Sequence, residues 1–201
     1  MKYVPITVEQ FWHIDAEEVV LRHVGEIAGE CYNSSRDTDK CIQRALNCIK
    51  RGHHSPWEHV NITLRCTVDR GVSHALVRHR HCAFQQSSTI YQKFDEIVVI
   101  DSEYMSPQEK GLYRDCEHVY QELLRKTNNP SYARNVLPNN LATNLIITTN
   151  IRQWMYMIQR RCGPGDSENM HIWCQKTREW FEQSYPQVTK AFDDWYSSHP
   201  L

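Results

Sequence analysis

The strongest constraint on the fold is an alternating run of residues at 58–69. Apolar side chains stand at every second position from Val60 to Val68, with mostly polar residues between them. A period of two places successive side chains on opposite faces, so this run predicts a strand with one buried face. The segment from Leu141 to Thr149 is rich in β-forming residues and predicts a second strand. The buried faces of such strands need a covering layer, which other parts of the chain must supply.

Helical periodicity in other segments of the chain predicts the helices that form this layer. Gly52 is well placed to stop one helix, and Ser106-Pro107-Gln108-Glu109 reads as a capping box that opens another, with Leu112, Val119 and Leu123 expected to face inward. The sequence therefore predicts one α+β domain over residues 1–201. Helices are predicted at 16–28, 39–51, 73–79, 106–126, 150–161 and 167–184, with a short one closing the chain.

Charge and composition exclude several classes of function. Lys and Arg total 23 and Asp and Glu total 24, so no basic field recruits nucleic acid, and phosphate would need a local arginine cluster. No apolar run is long enough to span a membrane, and no secretory signal is evident, so we expect a cytoplasmic protein. The eight cysteines show no paired spacing and are expected to be mostly reduced.

The most unusual local feature is Arg78-His79-Arg80-His81, which is followed closely by the polar run Gln85 to Thr89. Two guanidinium groups and a set of hydroxyls and amides can hold a phosphate or a polar heterocycle. The alternative interpretation is a basic turn exposed to solvent.

Further segments favour the first interpretation. Arg78-His79-Arg80, seven residues and then Ser88 resembles the signature of the flavin-dependent thymidylate synthase family. The segment 52–59 resembles the GHxxPxEH pattern of that family, and 133–138 resembles its ARxVLP pattern. Asn150-Ile151-Arg152 resembles its NxR, which opens a helix with an arginine eleven positions after the Asn, here Arg161. These segments, in the family's order, cover about residues 28–95 and 131–185 and identify the chain as a divergent member.

This resemblance implies a homotetramer with a mostly antiparallel sheet flanked by helices. It implies reductive methylation of dUMP to dTMP, with FAD as cofactor and NADPH and methylenetetrahydrofolate as co-substrates. Arg161 would be catalytic, favouring the N3-deprotonated uracil ring. The residues expected to hold or adjoin FAD are Ser55, Glu58, Arg78, His79, Arg80, Asn150 and Arg152. Those expected to bind the pyrimidine nucleotide are Arg78, Gln86, Ser87, Ser88, Thr89, Arg134 and Arg161.

Departures from the family pattern concentrate on the nucleotide side. Ala75 stands where the family usually has Gln, Gln86 where it has Glu, and Ile90 where it commonly has Arg. The run after Arg161, Cys-Gly-Pro-Gly-Asp-Ser, replaces the family's RAQWE. Two alternatives therefore stay open. One is a related C5 methylase or hydroxymethylase that acts on UMP or another pyrimidine nucleotide, and the other is a flavin- and nucleotide-binding protein without turnover.

Histidines and cysteines also raise the alternative of a zinc site. His53, His54 and His59 lie near Glu58, with His81-Cys82 following later, and a second set comprises Cys162, His171 and Cys174. Neither set has the paired spacing of a structural zinc site, so no metal is expected.

Overall fold

The computed structural model describes residues 1–12 and 14–200. Its strands are β1 (Lys2–Val4), β2 (Thr7–Gln10), β3 (Asn61–Asp69), β4 (Ala83–Gln86), β5 (Val98–Ile100) and β6 (Ala142–Asn150). Its helices are α1 (Glu17–Glu30), α2 (Thr38–Lys50), α3 (Arg70–Leu76), α4 (Pro107–Thr127), α5 (Pro130–Ala133), α6 (Ile151–Arg161), α7 (Glu168–Ser184) and α8 (Pro186–Ser198). Short 3-10 turns occupy Ser55–His59 and Arg134–Val136.

The sheet is built around the two strands that the sequence predicts. β3 and β6 pair antiparallel along their whole length, and β2 and β4 add antiparallel on either side in the order β2-β3-β6-β4. β1 and β5 form a separate parallel pair, and an antiparallel bridge between Val99 and Leu141 connects that pair to the segment before β6. The α+β class and the mostly antiparallel sheet are therefore confirmed. The four short strands were not predicted, because runs of three or four residues carry too little periodicity.

The helices cover the buried face of the sheet, as expected. The predicted inner face of α6 is confirmed, since Ile151, Trp154, Met155 and Ile158 are all buried. The Trp154 indole Nε1 donates a hydrogen bond to the Ile62 carbonyl at 3.2 Å, which fixes α6 against β3. α2 ends just before Gly52, as predicted, where the backbone adopts a positive φ of 74°. No helix within residues 1–12 and 14–200 is long and apolar enough to cross a membrane.

Helix α4 corrects one expectation about packing. Its capping box forms as predicted, with Ser106 and Glu109 bonding reciprocally. However, Leu112 is 59% exposed and Val119 is 39% exposed, so the predicted inner face is wrong for both, although Leu123 packs at the edge of the core. The helix is instead anchored by Tyr120, which is fully buried in a small second core with Ile97, Ala133 and Leu141. This core touches only a narrow stripe of α4, and Tyr120 is the one buried residue of the helix.

The cysteines depart from expectation at one pair. Cys162 and Cys174 form a disulfide whose Cα atoms lie 6.0 Å apart, so these two are the exception to the expectation that most of the cysteines are reduced. Cys162 caps the end of α6 and Cys174 lies on the inner face of α7, and the turn between the helices brings them together. The other six cysteines are free. A spacing of twelve residues gave no signal for this pairing in the sequence.

Candidate active site

The Arg78–His81 segment is fixed at the end of the central strand β6. The backbone N–H of His79 donates to the Leu76 carbonyl at 3.0 Å, which continues the last turn of α3. The Thr149 hydroxyl donates to the His81 carbonyl at 2.6 Å, and β4 then pairs with β6. A turn is thereby held rigidly between a helix and a sheet, a common setting for binding residues.

Six of the seven residues that were predicted to hold or adjoin FAD line one cavity of about 680 Å³, called the cofactor-side cavity below. They come from the 3-10 turn before β3, the segment after α3, and the start of α6. The six are Glu58, Arg78, His79, Arg80, Asn150 and Arg152. The seventh, Ser55, is placed differently, because it lines a neighbouring cavity of about 830 Å³ between α1 and α2 together with His53 and His59.

The charged side chains that line the cofactor-side cavity are mostly positive. Arg78 and Arg80 are exposed in it, whereas Arg152 forms an ion pair with Glu58. The Asn150 side chain accepts from the Gln153 backbone N–H at 2.8 Å and so caps α6. The N-terminus of α6 therefore faces the cavity, where its dipole favours an anion.

The cavity also has aromatic walls that the sequence did not assign to it. Tyr156 comes from α6, and Trp195 and Tyr196 come from the C-terminal helix α8. Tyr156 lies edge-on to the His79 ring, with the ring centroids 6.0 Å apart. Trp195 lies edge-on to the ring of His54 at 5.0 Å. No local signal marks these residues, because only the tertiary packing of α8 brings its aromatic side chains to this cavity.

Arg161, the predicted catalytic residue, is hydrogen-bonded to a residue that lines the cofactor-side cavity. Its Nε donates to Nε2 of His79 at 3.0 Å, and its Nη2 donates to the Ala75 carbonyl at 2.8 Å. Its Nη1 lies 3.5 Å from Oδ1 of Asp166, a residue to which the sequence gave no role. Burial of the ring, together with the charges of Arg161 and Arg160, lowers the pKa of His79 to about 4. His79 is therefore a neutral acceptor at physiological pH, with its ring proton on Nδ1.

Four of the predicted nucleotide-side residues, Gln86 to Thr89, lie at the end of β4 and directly after it. The Nη1 of Arg134 approaches the Thr89 hydroxyl at 3.4 Å, which brings two of the predicted nucleotide-side residues together. The Ser88 hydroxyl oxygen accepts from the backbone N–H of Ile90 at 3.1 Å and shapes the turn. Ser87 and Thr89 line a cavity of about 490 Å³ beside Thr143 and Asn144. This loop thus presents hydroxyl groups next to a half-buried guanidinium.

The side chain of Gln86 makes hydrogen bonds within the protein that the sequence did not predict. Its side-chain amide nitrogen donates to the Ser73 hydroxyl at 2.9 Å and approaches the Thr143 hydroxyl at 3.3 Å. The amide therefore ties β4 to α3 and β6. A carboxylate in its place could accept from these hydroxyls but could not donate to them, so the Glu-to-Gln departure changes the local hydrogen bonding as well as the charge.

Two of the three arginines predicted to bind nucleotide, Arg134 and Arg161, occupy separate parts of the chain's surface. Arg161 contacts Ala75, His79 and Asp166, whereas Arg134 contacts Thr89. Within residues 1–12 and 14–200, these hydrogen-bonding sets share no member. One chain thus brings the cofactor-side residues together with Arg161 but leaves Arg134 with the loop after β4.

The histidine and cysteine clusters do not gather around a metal position. Across the described ranges 1–12 and 14–200, no group of three or more His, Cys, Asp or Glu residues is arranged to hold a metal ion. Cys162 and Cys174 are bonded to each other, and the His171 ring lies 3.1 Å from the Gly163 carbonyl. His54 contacts the Ile49 carbonyl at 3.2 Å. These side chains have structural partners instead.

Comparison with known proteins agrees with this arrangement. The family model described as "Thymidylate synthase complementing protein" matches residues 14–187. A flavin-dependent thymidylate synthase of Synechocystis is 24% identical over 166 residues, covering 73% of this chain and 77% of that protein. One from Corynebacterium efficiens is 27% identical over 206 aligned positions, covering 90% of this chain and 82% of that protein.

A solved structure shows the same fold. It is a UMP/dUMP methylase, PolB, from Streptomyces cacaoi bound with 5-Br dUMP, and it matches with a TM-score of 0.75 and 21% identity over 96% of this chain and 97% of that chain. The family match extends over most of the chain and includes every segment that lines the cofactor-side cavity apart from the end of α8. The chain therefore belongs to the thymidylate synthase complementing protein family, as a divergent member of this group of flavin-dependent, methyltransferase-type enzymes.

Proposed function

We propose that the protein methylates dUMP to dTMP, with FAD as cofactor, methylenetetrahydrofolate as carbon donor and NADPH as reductant. The observation that carries this proposal is the cavity of about 680 Å³ in which six cofactor-side residues meet. Arg161 is attached to that cavity through His79. The group expected to bind the cofactor and the group expected to act on the uracil ring are thus mechanically linked.

The residues present fit FAD. A dinucleotide carries two phosphates and two flat ring systems, and the cavity offers exposed guanidiniums from Arg78 and Arg80 and aromatic walls from Trp195 and Tyr196. Arginine forks match phosphate oxygens in pairs, and the positive N-terminus of α6 adds to this attraction. When bound, reduced FAD supplies the hydride that reductive methylation requires.

Arg161 is proposed to act on the uracil ring. A guanidinium cannot lose its proton at physiological pH, so it stabilises negative charge on the ring and favours the N3-deprotonated form. Charge on the ring polarises the C5=C6 bond for attack on the carbon donor. His79 and the Ala75 carbonyl hold the guanidinium plane by two short bonds. The cation is therefore positioned before the nucleotide arrives.

The nucleotide is proposed to be anchored by Arg134 and the hydroxyl-bearing loop after β4, with Arg78 reaching both sites. Arg134 and Arg161 belong to separate clusters in one chain, which favours a homotetramer whose sites combine loops from different copies. Because dUMP, NADPH and folates are cytoplasmic metabolites, the same proposal places the protein in the cytoplasm. Measurement of the mass of the FAD-bound protein in solution by light scattering tests the tetramer, and a monomer with full activity would contradict it.

A second candidate function is methylation or hydroxymethylation of UMP or another pyrimidine nucleotide. Two observations favour it. The side chain of Gln86 is hydrogen-bonded to Ser73. Ile90 cannot supply the charge of the arginine that the family commonly has at this position. The solved structure with the same fold is described as acting on both UMP and dUMP. A charge-assisted hydrogen bond contributes about 1.5–3 kcal/mol, so losing one could weaken dUMP binding about tenfold to a hundredfold.

The experiment that tests the proposed function is dUMP-dependent oxidation of NADPH by the FAD-loaded protein in the presence of methylenetetrahydrofolate. We expect oxidation to require both dUMP and the folate and to yield dTMP. A protein that binds FAD and dUMP but never consumes NADPH would be the third alternative, a binding protein without turnover. UMP run in parallel separates the second candidate from the first.

Arg134→Ala is expected to raise the dUMP concentration needed for half-maximal rate about tenfold to a hundredfold. The reason is the loss of one charge-assisted contact to the nucleotide, whereas the cavity around Arg161 stays intact. The measurement is steady-state NADPH oxidation against dUMP concentration. The neighbouring residue Asn135 is exposed, so Asn135→Ala serves as the matched control and should behave like wild type. A fall in the maximal rate at unchanged half-saturation would contradict the anchoring role.

A further inference from the structure

The three nitrogens of the Arg161 side chain each have a different protein partner. Nε and Nη2 make short bonds of 3.0 Å and 2.8 Å to His79 and to the Ala75 carbonyl, both neutral acceptors. Nη1 faces the Asp166 carboxylate at 3.5 Å. Asp166 is therefore the one anion among the hydrogen-bonding partners that the described residues give to Arg161.

The loop that carries Asp166 is tied to the helices on both of its sides. The residues between α6 and α7 are pinned by the disulfide between Cys162 and Cys174 and by the contact of His171 with the Gly163 carbonyl. The side chains of Arg161 and Asp166 are only 19% and 18% exposed, so water screens their attraction less than at an open surface. The contact is nevertheless longer than the roughly 2.7–2.9 Å of a good charge-assisted hydrogen bond.

The three contacts of Arg161 differ in length: the bonds of Nε and Nη2 are short, and the contact of Nη1 with Asp166 is long. Two short bonds keep the guanidinium plane of Arg161 in position whatever happens at Nη1. The long contact to Asp166 costs less to break than either of the others. Nη1 is therefore the nitrogen that can change its partner without moving the side chain.

The position of Asp166 also coincides with departures from the family pattern. The loop 162–167 replaces the usual residues after Arg161, and Ala75 replaces the usual Gln. Both departures lie in contact with Arg161. Asp166 contacts Arg161 through its side chain, whereas Ala75 does so through its backbone carbonyl, so only the departure in the loop adds a charged group beside Arg161.

We propose that Asp166 is an internal competitor at Arg161: its carboxylate occupies Nη1 in the nucleotide-free protein and yields that position to the anionic uracil ring when nucleotide binds. This inference rests on the proposed function. If Asp166 stayed in place, two negative groups would share one half-buried cation, which is costly. Exchange of one anion for the other keeps Arg161 paired in both states.

Removal of the carboxylate charge should therefore tighten nucleotide binding. Asp166→Asn keeps the shape of the side chain and removes its charge, and we expect the Kd for dUMP to fall about threefold to tenfold. FAD binding should stay unchanged, because Asp166 does not line the cofactor-side cavity. Glu168→Gln is the matched control, since it removes one negative charge close to the same loop from an exposed side chain and should leave the Kd unchanged.

The experiment titrates dUMP and 2-deoxyribose 5-phosphate, which lacks the uracil ring, into the FAD-loaded wild type and both variants by calorimetry, with thermal unfolding to verify that each variant folds. The sugar phosphate has no ring to replace Asp166 at Nη1, so Asp166→Asn should tighten the binding of dUMP and leave the Kd of the sugar phosphate unchanged. A purely structural role would not change this ratio between ligands. Asp166→Ser, which also removes the charge, should give the same order of effects.

The outcomes separate this inference from the proposed function. If the wild type binds dUMP and both Asp166 variants bind it equally or more weakly, Asp166 is not a competitor, and weaker binding would make it a positioning residue for Arg161. An equal gain for the two ligands would also overturn the ring-specific exchange. If neither the wild type nor Glu168→Gln binds dUMP while both bind FAD, the proposed function fails and the inference fails with it.

Discussion

Arg161→Lys is expected to lower turnover by about a hundredfold or more while FAD binding remains intact. Lysine keeps the positive charge but loses the planar fork, which in Arg161 reaches His79, Ala75 and a third partner at the same time. A single ammonium group cannot hold this geometry and also lie against a flat heterocycle. The measurement is the rate of NADPH oxidation at saturating dUMP, with FAD binding followed by absorbance.

The adjacent arginine offers a matched control for this change. Arg160 lies on the same helix and is exposed, and Arg160→Lys makes the same chemical substitution one position away. We expect that variant to turn over at the wild-type rate. Wild-type turnover in Arg161→Lys would show that the guanidinium fork is not needed and would remove the role proposed for this residue.

Arg78→Ala is expected to abolish FAD uptake at micromolar concentrations, a loss of affinity of about a hundredfold or more. Arg78 is exposed in the cofactor-side cavity beside Arg80, where its guanidinium can form paired bonds with phosphate. Two charge-assisted hydrogen bonds at about 1.5–3 kcal/mol each account for a loss of this size. The measurement is fluorescence titration of FAD against the apoprotein.

A distant arginine controls for the loss of a surface charge in this experiment. Arg114 is exposed on α4, which does not contribute to the cofactor-side cavity, so Arg114→Ala should bind FAD as wild type does. Undiminished FAD affinity in Arg78→Ala would move the phosphate-binding role to other residues such as Arg80.

The parts of the fold that were predictable have long periodic segments. The alternation from Val60 to Val68 and the inner face of α6 both appear in the structure because a periodic pattern sustained over nine or more residues outweighs local irregularities. The orientation of α4 was not predictable in this way. Its burial depends on Tyr120 meeting a small second core that is assembled from distant segments.

The residues of the candidate site likewise fall into a group that the sequence predicted and a group that it did not. Motif residues such as Arg78, His79 and Asn150, which line one cavity, could be predicted to lie together because their spacing in the chain carries information. Tyr156, Trp195 and Asp166 could not, because their part in the site depends on how α6, α7 and α8 pack. The unusual run after Arg161 was visible in the sequence, but the contact of its aspartate with Arg161 was not. Sequence patterns thus identified the motif side chains, and the structure identified what surrounds them.

The central claim is that this chain methylates the uracil ring of dUMP, and the mass of the product tests it most directly. The FAD-loaded protein would be incubated with NADPH and methylenetetrahydrofolate and with either dUMP or UMP, and each nucleotide product would be identified by mass spectrometry. The proposed function predicts the mass of dTMP from dUMP. A methylated or hydroxymethylated product from UMP alone, or unchanged dUMP in the presence of bound FAD, would contradict it.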